Sequence, residues 1–398
     1  MTGSPSPSDD VVVHVHVFGR TDVGRTREHN EDTFAVADLT TFNASLQPEV
    51  RQHVCGPRGS FFMVADGMGG AAAGEVASQM AVDTILAELD ARWRAAQSAD
   101  AETFAHALKA ATETANAKIH QYAATHPENR GMGTTATIAG LLGDTLFLCQ
   151  VGDSRGYIVR AGEAIQITKD QSLMQKLIEA GEMTPEEAEV SERRNIILQA
   201  LGPEPKIKVD LTSQQVMRGD TLILCSDGLS GQVRANEIAE VVRTSPDLVE
   251  VCKRLIDLAN EAGGPDNITV VAARFEGNGL KDSGAETLAH RVYRGSSERP
   301  TIPMDRSSIP QLSAVDDDEI DDQSEIPTLE TDAYKPEKVV VGNAGSGPTV
   351  EIAPSVRAKL PEPPPPGGRI PAWTLRMYFG ALAALVAFVA LFIYLRRD

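Results

Sequence analysis

The sequence predicts an α+β domain, a sandwich over a parallel sheet, and three observations carry that prediction. Short strands rich in Val, Ile, Leu and Phe fall in groups; helical stretches lie between the groups rather than alternating with them; and apolar periodicity is dense over residues 11–275. That length is ample for one sizeable core. In chain order, apolar residues at helical spacing and abundant alanine predict helices at 74–93, 101–125 and 248–262. Strands are predicted at 60–65, 134–141, 145–151, 156–160, 221–225 and 268–274. The run from "TLFLCQVGD" to "GYIVRAGEAIQIT" reads as consecutive antiparallel strands with a tight turn at Ala161 and Gly162.

Beyond the core the pattern changes. Ser, Pro, Gly and acidic residues dominate residues 278–370, and "DDDEIDDQSEIPTLETD" carries nine carboxylates from Asp316 to Asp332 without a basic residue. Such a segment cannot bury enough apolar surface to offset its ordering entropy, so it is expected to be a disordered linker, as are residues 1–12. A coil of that length reaches roughly 50 Å, and "PEPPPPGG" adds a stiffer polyproline spacer. Residues 371–395 are expected to form a transmembrane helix. Residues 377–395 carry no charge, and 19 residues at about 1.5 Å rise span about 28 Å, near the roughly 30 Å hydrocarbon thickness. Trp373, Tyr378 and Tyr394 sit where aromatic residues favour the interface, and a short basic tail, 396–398, follows. "MTGSPSPSDD" lacks the basic start and apolar core of a secretory signal. The expected location is therefore the inner (cytoplasmic) membrane, single-pass, with the folded domain in the cytoplasm.

The chain has 56 acidic and 37 basic side chains, a net charge of -19. That balance argues against a nucleic-acid partner, which needs a basic face, and suits a solution enzyme or a site that gathers divalent cations. Four cysteines, Cys55, Cys149, Cys225 and Cys252, form no CxxC pair and read as small core residues in a reducing compartment.

One theme recurs along the core. "FFMVAD" ends in Asp66, "LFLCQVGD" in Asp153 and "TLILCSD" in Asp227, each aspartate where an apolar strand stops and each beside glycine. Asp266 in "GGPDN" precedes a strand, and so do Glu31 and Asp32 in "HNEDTFAV". A single Asp beside Gly is an ordinary turn, but five such places in one domain imply a shared cleft. Carboxylates gathered there repel unless a positive charge lies between them. Oxygen ligands without Cys or His clusters suit Mg²⁺ or Mn²⁺ rather than zinc. The loop "ADGMGGAAAGE" has neither phosphate-cradle pattern, GxxxxGK[ST] or GxGxxG, and its charges are acidic, so it suits a metal that in turn serves a phosphate. Arg27 and Arg25 in "RTREHNEDTF" are both placed to fork two phosphate oxygens.

Six stretches in order, "RTREHNEDTF", "VADGMGGAAAGEVAS", "GMGTTATIAG", "VGDSRGYIVRAGEAIQITKDQS", "LILCSDGLS" and "GGPDNITVV", resemble the metal-dependent type 2C (PPM) Ser/Thr protein phosphatases in their bacterial form. The resemblance spans residues 20–275 and implies two antiparallel sheets packed as a sandwich flanked by helices, in place of the parallel sheet. It implies that Asp66 bridges two Mn²⁺ or Mg²⁺ ions, that Gly67 offers a backbone carbonyl, and that Asp227 and Asp266 hold the second ion. It places Glu31 and Asp32 beside the metals, directly or through water, makes Arg27 rather than Arg25 the phosphate-binding arginine, and gives Asp153 to a third ion. Gly231 stands where relatives often keep a further aspartate for that ion, and Met68 where some eukaryotic relatives keep a histidine. The implied reaction is phosphoester hydrolysis by water activated between two ions about 3.5–4 Å apart, without a covalent intermediate. The leaving alkoxide would then take its proton from water. Residues 173–195 resemble the family's flap and also read as a solvated helical hairpin. Expected partners are phosphorylated proteins and the bacterial Ser/Thr kinases that make them, the membrane, and a phosphothreonine-binding protein at Thr328 and Thr331 of the linker.

Overall fold

The computed structural model describes residues 11–42, 52–69, 73–282, 288 and 291–293. The chain divides into two units, Met1–Ser308 and Ile309–Asp398, and every described residue lies in the first. The acidic segment with Thr328 and Thr331, the polyproline stretch and the expected membrane helix lie outside the described residues. Among the described residues no helix is long and apolar enough to cross a membrane.

Among the described residues, thirteen strands make up the sheets. They are β1 His14–Asp22, β2 Thr33–Asp38, β3 Gln52–Val54, β4 Ser60–Ala65, β5 Gly67–Met68, β6 Gly133–Thr134, β7 Ala136–Leu142, β8 Thr145–Val151, β9 Arg155–Arg160, β10 Glu163–Gln166, β11 Asp210–Gln215, β12 Thr221–Cys225 and β13 Ile268–Glu276. One six-stranded sheet runs β10-β9-β12-β13-β1-β3, a five-stranded sheet runs β11-β8-β7-β4-β2, and β5 pairs with β6. Every pairing between these strands is antiparallel. The parallel sheet expected from periodicity alone is thus overturned, and the antiparallel sandwich implied by the resemblance stands.

The reason is legible in β4, whose six residues "SFFMVA" are all buried. Phe62 and Val64 point into the core between the sheets, with Val15, Leu148, Leu224 and Phe275. Phe61, Met63 and Ala65 point the other way, into a layer of helices. A strand covered on both faces reads as one continuous apolar run, which is also how a parallel strand reads. β12 and β13 behave alike: Leu224 and Val271 face the inter-sheet core, whereas Ile223 and Val270 face a second helical layer.

The first helical layer is α1 Ala73–Glu88 and α2 Ala101–Thr125. Alanines 73, 77 and 81 give α1 a narrow buried face, and a wider turn, Leu89–Trp93, continues it. Buried Trp93 donates Nε1–H to Arg58 O at 2.8 Å. Asp100 caps α2 by accepting from Thr103 N at 2.8 Å. On the loop to β11 lie α3 Leu173–Glu179 and α4 Pro185–Glu189, and directly after β12 comes the single turn α5 Asp227–Ser230. The second helical layer is α6 Ala235–Thr244 and α7 Leu248–Glu261. The hairpin between β9 and β10 closes on Ala161 at φ 52° and Gly162 at φ 86°. Positive φ at both central residues is the tight hairpin turn whose twist matches the strands.

Strand register brings the aspartates to one end. Thr33 faces Ala65, so Asp32 before β2 lies beside Asp66 after β4. Val64 faces Thr137 and Ala136 faces Val151, which adds the loop after β8. In the other sheet Cys225 faces both Val270 and Arg155, so Asp227 and Asp266 flank the same edge.

Candidate metal centre

Asp32 is the best-held member of the cluster. It is 8% exposed, and its Oδ2 accepts from Ser226 Oγ at 2.8 Å and Thr269 Oγ1 at 2.6 Å. Its Oδ1 is buried and has no hydrogen-bond partner. Asp153 Oδ1 is likewise buried without one. Glu31 is fixed through its backbone: its N donates to Asn267 Oδ1 at 2.8 Å and its O accepts from Ser78 Oγ at 2.6 Å. Arg27 Nη2 donates to Asp266 Oδ2 at 2.8 Å.

The chain is bare around Asp66 because other backbone comes too close for side chains. A Cβ on Gly67 would sit 2.3 Å from Gly74 O and 2.5 Å from Glu31 O. A Cβ on Gly74 would sit 2.7 Å from the Glu31 carboxylate. The glycines of "VADGMGGAAAGE" thus let the acidic pair of β2 press against the loop after β4.

Electrostatics follow from that crowding. Asp66 is held well above the usual carboxylate range, first by burial, then by Asp32, Asp227, Asp153 and Asp266. Burial, with Asp227 and Asp266 nearby, pushes Asp32 up to about 7 despite its two hydroxyl partners. Burial and then Asp227 and Asp170 push Asp153 up to about 7. Asp227 is raised by burial and Asp266, Glu31 by burial. Arg27 has its pKa raised: burial opposes its charge, but Asp266, Glu31 and Asp66 outweigh that.

These residues fit a divalent cation. The centre has buried carboxylate oxygens with no donor, and at neutral pH the cluster must take up protons or an equivalent positive charge. Among the described residues, no group of three or more His, Cys, Asp or Glu side chains is already arranged to hold a metal ion. Hard oxygen donors select Mg²⁺ or Mn²⁺.

The raised acids set a pH dependence. The folded chain keeps protons on Asp32 and Asp153 up to about pH 7, whereas the unfolded chain releases them near 3.8. The folded state binds more protons across that interval, so stability falls as pH rises from about 4 to about 7. Asp100 and Glu179, held at about 2, act below this window. In EDTA the chain is expected to be less stable at about pH 8 than at about pH 5, by on the order of 5 kcal/mol, and to melt correspondingly lower. Asp32→Asn should flatten that slope in thermal melts, and an unchanged slope would contradict the assignment.

The centre opens into a cleft of about 870 Å³ lined at its base by Arg27, Asp153, Asp227 and Asp266. Arg25 is not on that lining; its backbone N donates to Gly264 O at 2.8 Å. Met174 of α3 and Val190, next to α4, form part of the wall, so residues 173–195 are both a largely exposed helical hairpin and a neighbour of the cleft. Gly231 also lines the cleft, and Met68 lies half-buried on β5.

Several supports of this site were not singled out from sequence. Asn267 donates from Nδ2 to Val23 O at 3.0 Å and His29 O at 2.9 Å while accepting from Glu31 N, tying the arginine loop to the start of β13. Ser226 and Thr269 orient Asp32 from the opposite sheet. Arg155 is locked on Asp170, with Nε–Oδ2 at 2.8 Å, beside the cleft. All stand inside or next to the quoted motifs, but hydroxyls and amides in a strand carry no periodic signal.

Comparison with known proteins identifies the family and the fold. The family profile "Protein phosphatase 2C" matches residues 50–269. The serine/threonine phosphatase stp of Listeria monocytogenes is 38% identical over 257 residues, covering 65% of this chain and 94% of that protein. The serine/threonine protein phosphatase PstP of Mycobacterium tuberculosis is 42% identical over 210 residues, 53% of this chain and 39% of that protein. The crystal structure of the M. tuberculosis phosphatase PstP/Ppp superposes with a TM-score of 0.56 at 37% identity, covering 66% of this chain and 99% of that one. A structure of the PstP catalytic domain in complex with two manganese ions gives a TM-score of 0.54 at 37% identity, over 66% of this chain and 99% of that one. With a family profile matched over more than half its length, on an antiparallel sandwich that gathers five motif aspartates at one end, the chain belongs to the protein phosphatase 2C family.

Proposed function

We propose that this chain is a Mn²⁺- or Mg²⁺-dependent protein phosphatase that hydrolyses phosphoserine and phosphothreonine, opposing bacterial Ser/Thr kinases. The observation that carries this reading is the set of carboxyls at one end of the sandwich, buried Asp32 and Asp153 with half-buried Asp66 and Asp227, beside a cleft lined by Arg27, Asp153, Asp227 and Asp266. Bound ions supply an activated water and offset charge on the transferring phosphoryl group. Asp66, with Asp227 and Asp266, would hold the two ions, the Gly67 carbonyl would add a backbone oxygen, and Asp32 would present Oδ1 while Ser226 and Thr269 keep its Oδ2 occupied. Glu31 lies at the edge of the same cluster, and Asp153 would serve a third ion. Arg27, steadied by Asp266, has further guanidinium donors to orient a phosphoryl group. Residues 173–195 would influence which phosphoproteins enter.

A cysteine nucleophile does not compete with this chemistry. Burial pushes the thiols of Cys149, Cys225 and Cys252 up to about 12 and that of Cys55 up to about 11, so all four stay neutral at working pH. The full-length chain in detergent is expected to release phosphate from phosphothreonine peptides with Mn²⁺ or Mg²⁺, to fall to background in EDTA, and to recover on adding Mn²⁺. No release with either ion would sink the proposal.

The uncharged stretch 377–395 supports a single-pass anchor in the inner (cytoplasmic) membrane with the catalytic domain in the cytoplasm. Removing residues 371–398 should move the protein from the membrane to the soluble fraction. The acidic setting of Thr328 and Thr331 supports a second role, docking of a phosphothreonine-binding protein once a kinase has marked the linker. Phosphopeptide mapping that finds both threonines unmodified after kinase treatment would remove it.

A further inference from the structure

The loops that carry Asp66 and Asp153 come from different strands, and a buried set of hydroxyls joins them. Asp66 N donates to Thr135 Oγ1 at 2.9 Å, and Thr135 N donates back to Asp66 O at 2.8 Å. Thr134 Oγ1 also donates to Asp66 O, at 2.9 Å. Thr135 Oγ1 then lies 2.8 Å from Ser154 Oγ, next in sequence to Asp153. Ser154 O accepts from Gln150 Nε2 at 2.7 Å and lies 3.0 Å from Thr137 Oγ1. Thr135 holds the same turn by shape: a Cβ on Gly152, at φ +99°, would sit 2.6 Å from Thr135 Cγ2.

Thr134, Thr135, Thr137, Gln150 and Ser154 are all buried. Polar groups there cost more than apolar ones of the same shape unless each is paired. None of the five is a carboxylate, cysteine or histidine, and the hydrogen bonds their side chains donate run between the two loops or brace them. We propose that Thr135 is a positioning residue, which through Ser154 clamps the Asp66 loop to the Asp153 loop and sets the separation at which the two carboxylates meet cations. This rests on the metal-phosphatase reading above. Its consequence is that cation affinity depends on a hydroxyl that touches no cation. Outer partners of this kind change metal affinity by about 10- to 100-fold when lost.

The test is Mn²⁺ titration by calorimetry on the full-length chain, with circular dichroism and thermal melts in EDTA alongside. The proteins are wild type, Thr135→Ser, Thr135→Val and Ser154→Ala. Thr135→Val keeps the shape and loses the hydroxyl, so it is expected to weaken Mn²⁺ binding about 10-fold or more. Thr135→Ser keeps the hydroxyl and should remain within about twofold of wild type, while Ser154→Ala cuts only the link and should weaken binding by several-fold. If Thr135→Val does not fold, Ser154→Ala against Thr135→Ser decides. Folded Thr135→Val and Ser154→Ala with wild-type Mn²⁺ affinity, whatever their melting temperatures, would overturn the inference and leave the phosphatase reading standing. Wild type that binds no Mn²⁺ would overturn both.

Discussion

Asp66→Asn is expected to abolish phosphate release, by at least about a thousandfold, while making the metal-free chain more stable. Both effects come from one carboxyl. Asp66 sits where β2, β4 and β12 bring acids together, and burial with Asp32, Asp227, Asp153 and Asp266 raises its pKa well above the usual range. A residue that costs the fold this much is tolerable if a cation relieves the repulsion, and the amide cannot bridge two cations. The amide is uncharged at every pH, so the metal-free fold loses the repulsion from the neighbouring carboxyls. In EDTA at about pH 8 the variant should gain about 1–3 kcal/mol, and the rise in melting temperature that Mn²⁺ produces in wild type should shrink. An active Asp66→Asn protein, or one less stable than wild type without metal, would contradict this account.

Asp220→Ala should produce the largest loss of stability without touching the chemistry. Arg160 and Asp220 are 5% and 1% exposed in their side chains. Arg160 Nε donates to Asp220 Oδ1 at 2.9 Å and Nη2 to Oδ2 at 2.6 Å, and Met217 N also donates to Oδ2, at 2.8 Å. Removing the carboxylate takes two acceptor oxygens from a buried guanidinium, which keeps its bond to Gln215 O at 3.0 Å, and takes the side-chain acceptor from Met217 N. Breaking such a pair costs about 3–5 kcal/mol, or a melting temperature lower by roughly 10 °C for a domain of this size. Asp220 precedes β12 and Asp227 follows it, so roughly 20 Å of strand separates the pair from the metal centre. Activity per folded molecule at low temperature should therefore be unchanged. Replacing both partners, as in Arg160→Met with Asp220→Leu, should cost less than the single change. A single variant melting within about 2 °C of wild type would refute the argument.

The acids of the candidate site were legible because each ends or precedes an apolar run and stands beside glycine, a local pattern. Their order along the chain, matched to a family, then singled out Arg27 from Arg25, and the structure places Arg27 on Asp266 at the cleft. Helices α1, α2 and α7 and the Ala161–Gly162 hairpin announced themselves through alanine content, helical spacing and turn chemistry. Strand β1, strand β11 and helix α6 were not predicted. β1 alternates Val15 and Val17 with histidines, and α6 sets Ile238, Val241 and Val242 at helical spacing, so both carried a pattern that went unread; β11 has little apolar pattern, and all three are held by distant elements: β1 by β13, β11 by β8, and α6 against the six-stranded sheet.

By itself, then, the sequence determined which acids stand at the ends of apolar runs and that the core is layered with buried strands. It did so because residue type, spacing and burial on both faces are properties of short stretches. Outside the Ala161–Gly162 hairpin, apolar periodicity left strand direction open, and the tertiary structure decided it. A strand covered on both sides has the same apolar run in either orientation, and pairing partners far apart in the chain choose between them. The hydroxyl clamp of Thr135 and Ser154 and the support of Asp32 by Ser226 and Thr269 belong to the same class. A serine or threonine in a strand carries no sign of its partner, and the opposed sheets, not the residues beside it, bring that partner within reach.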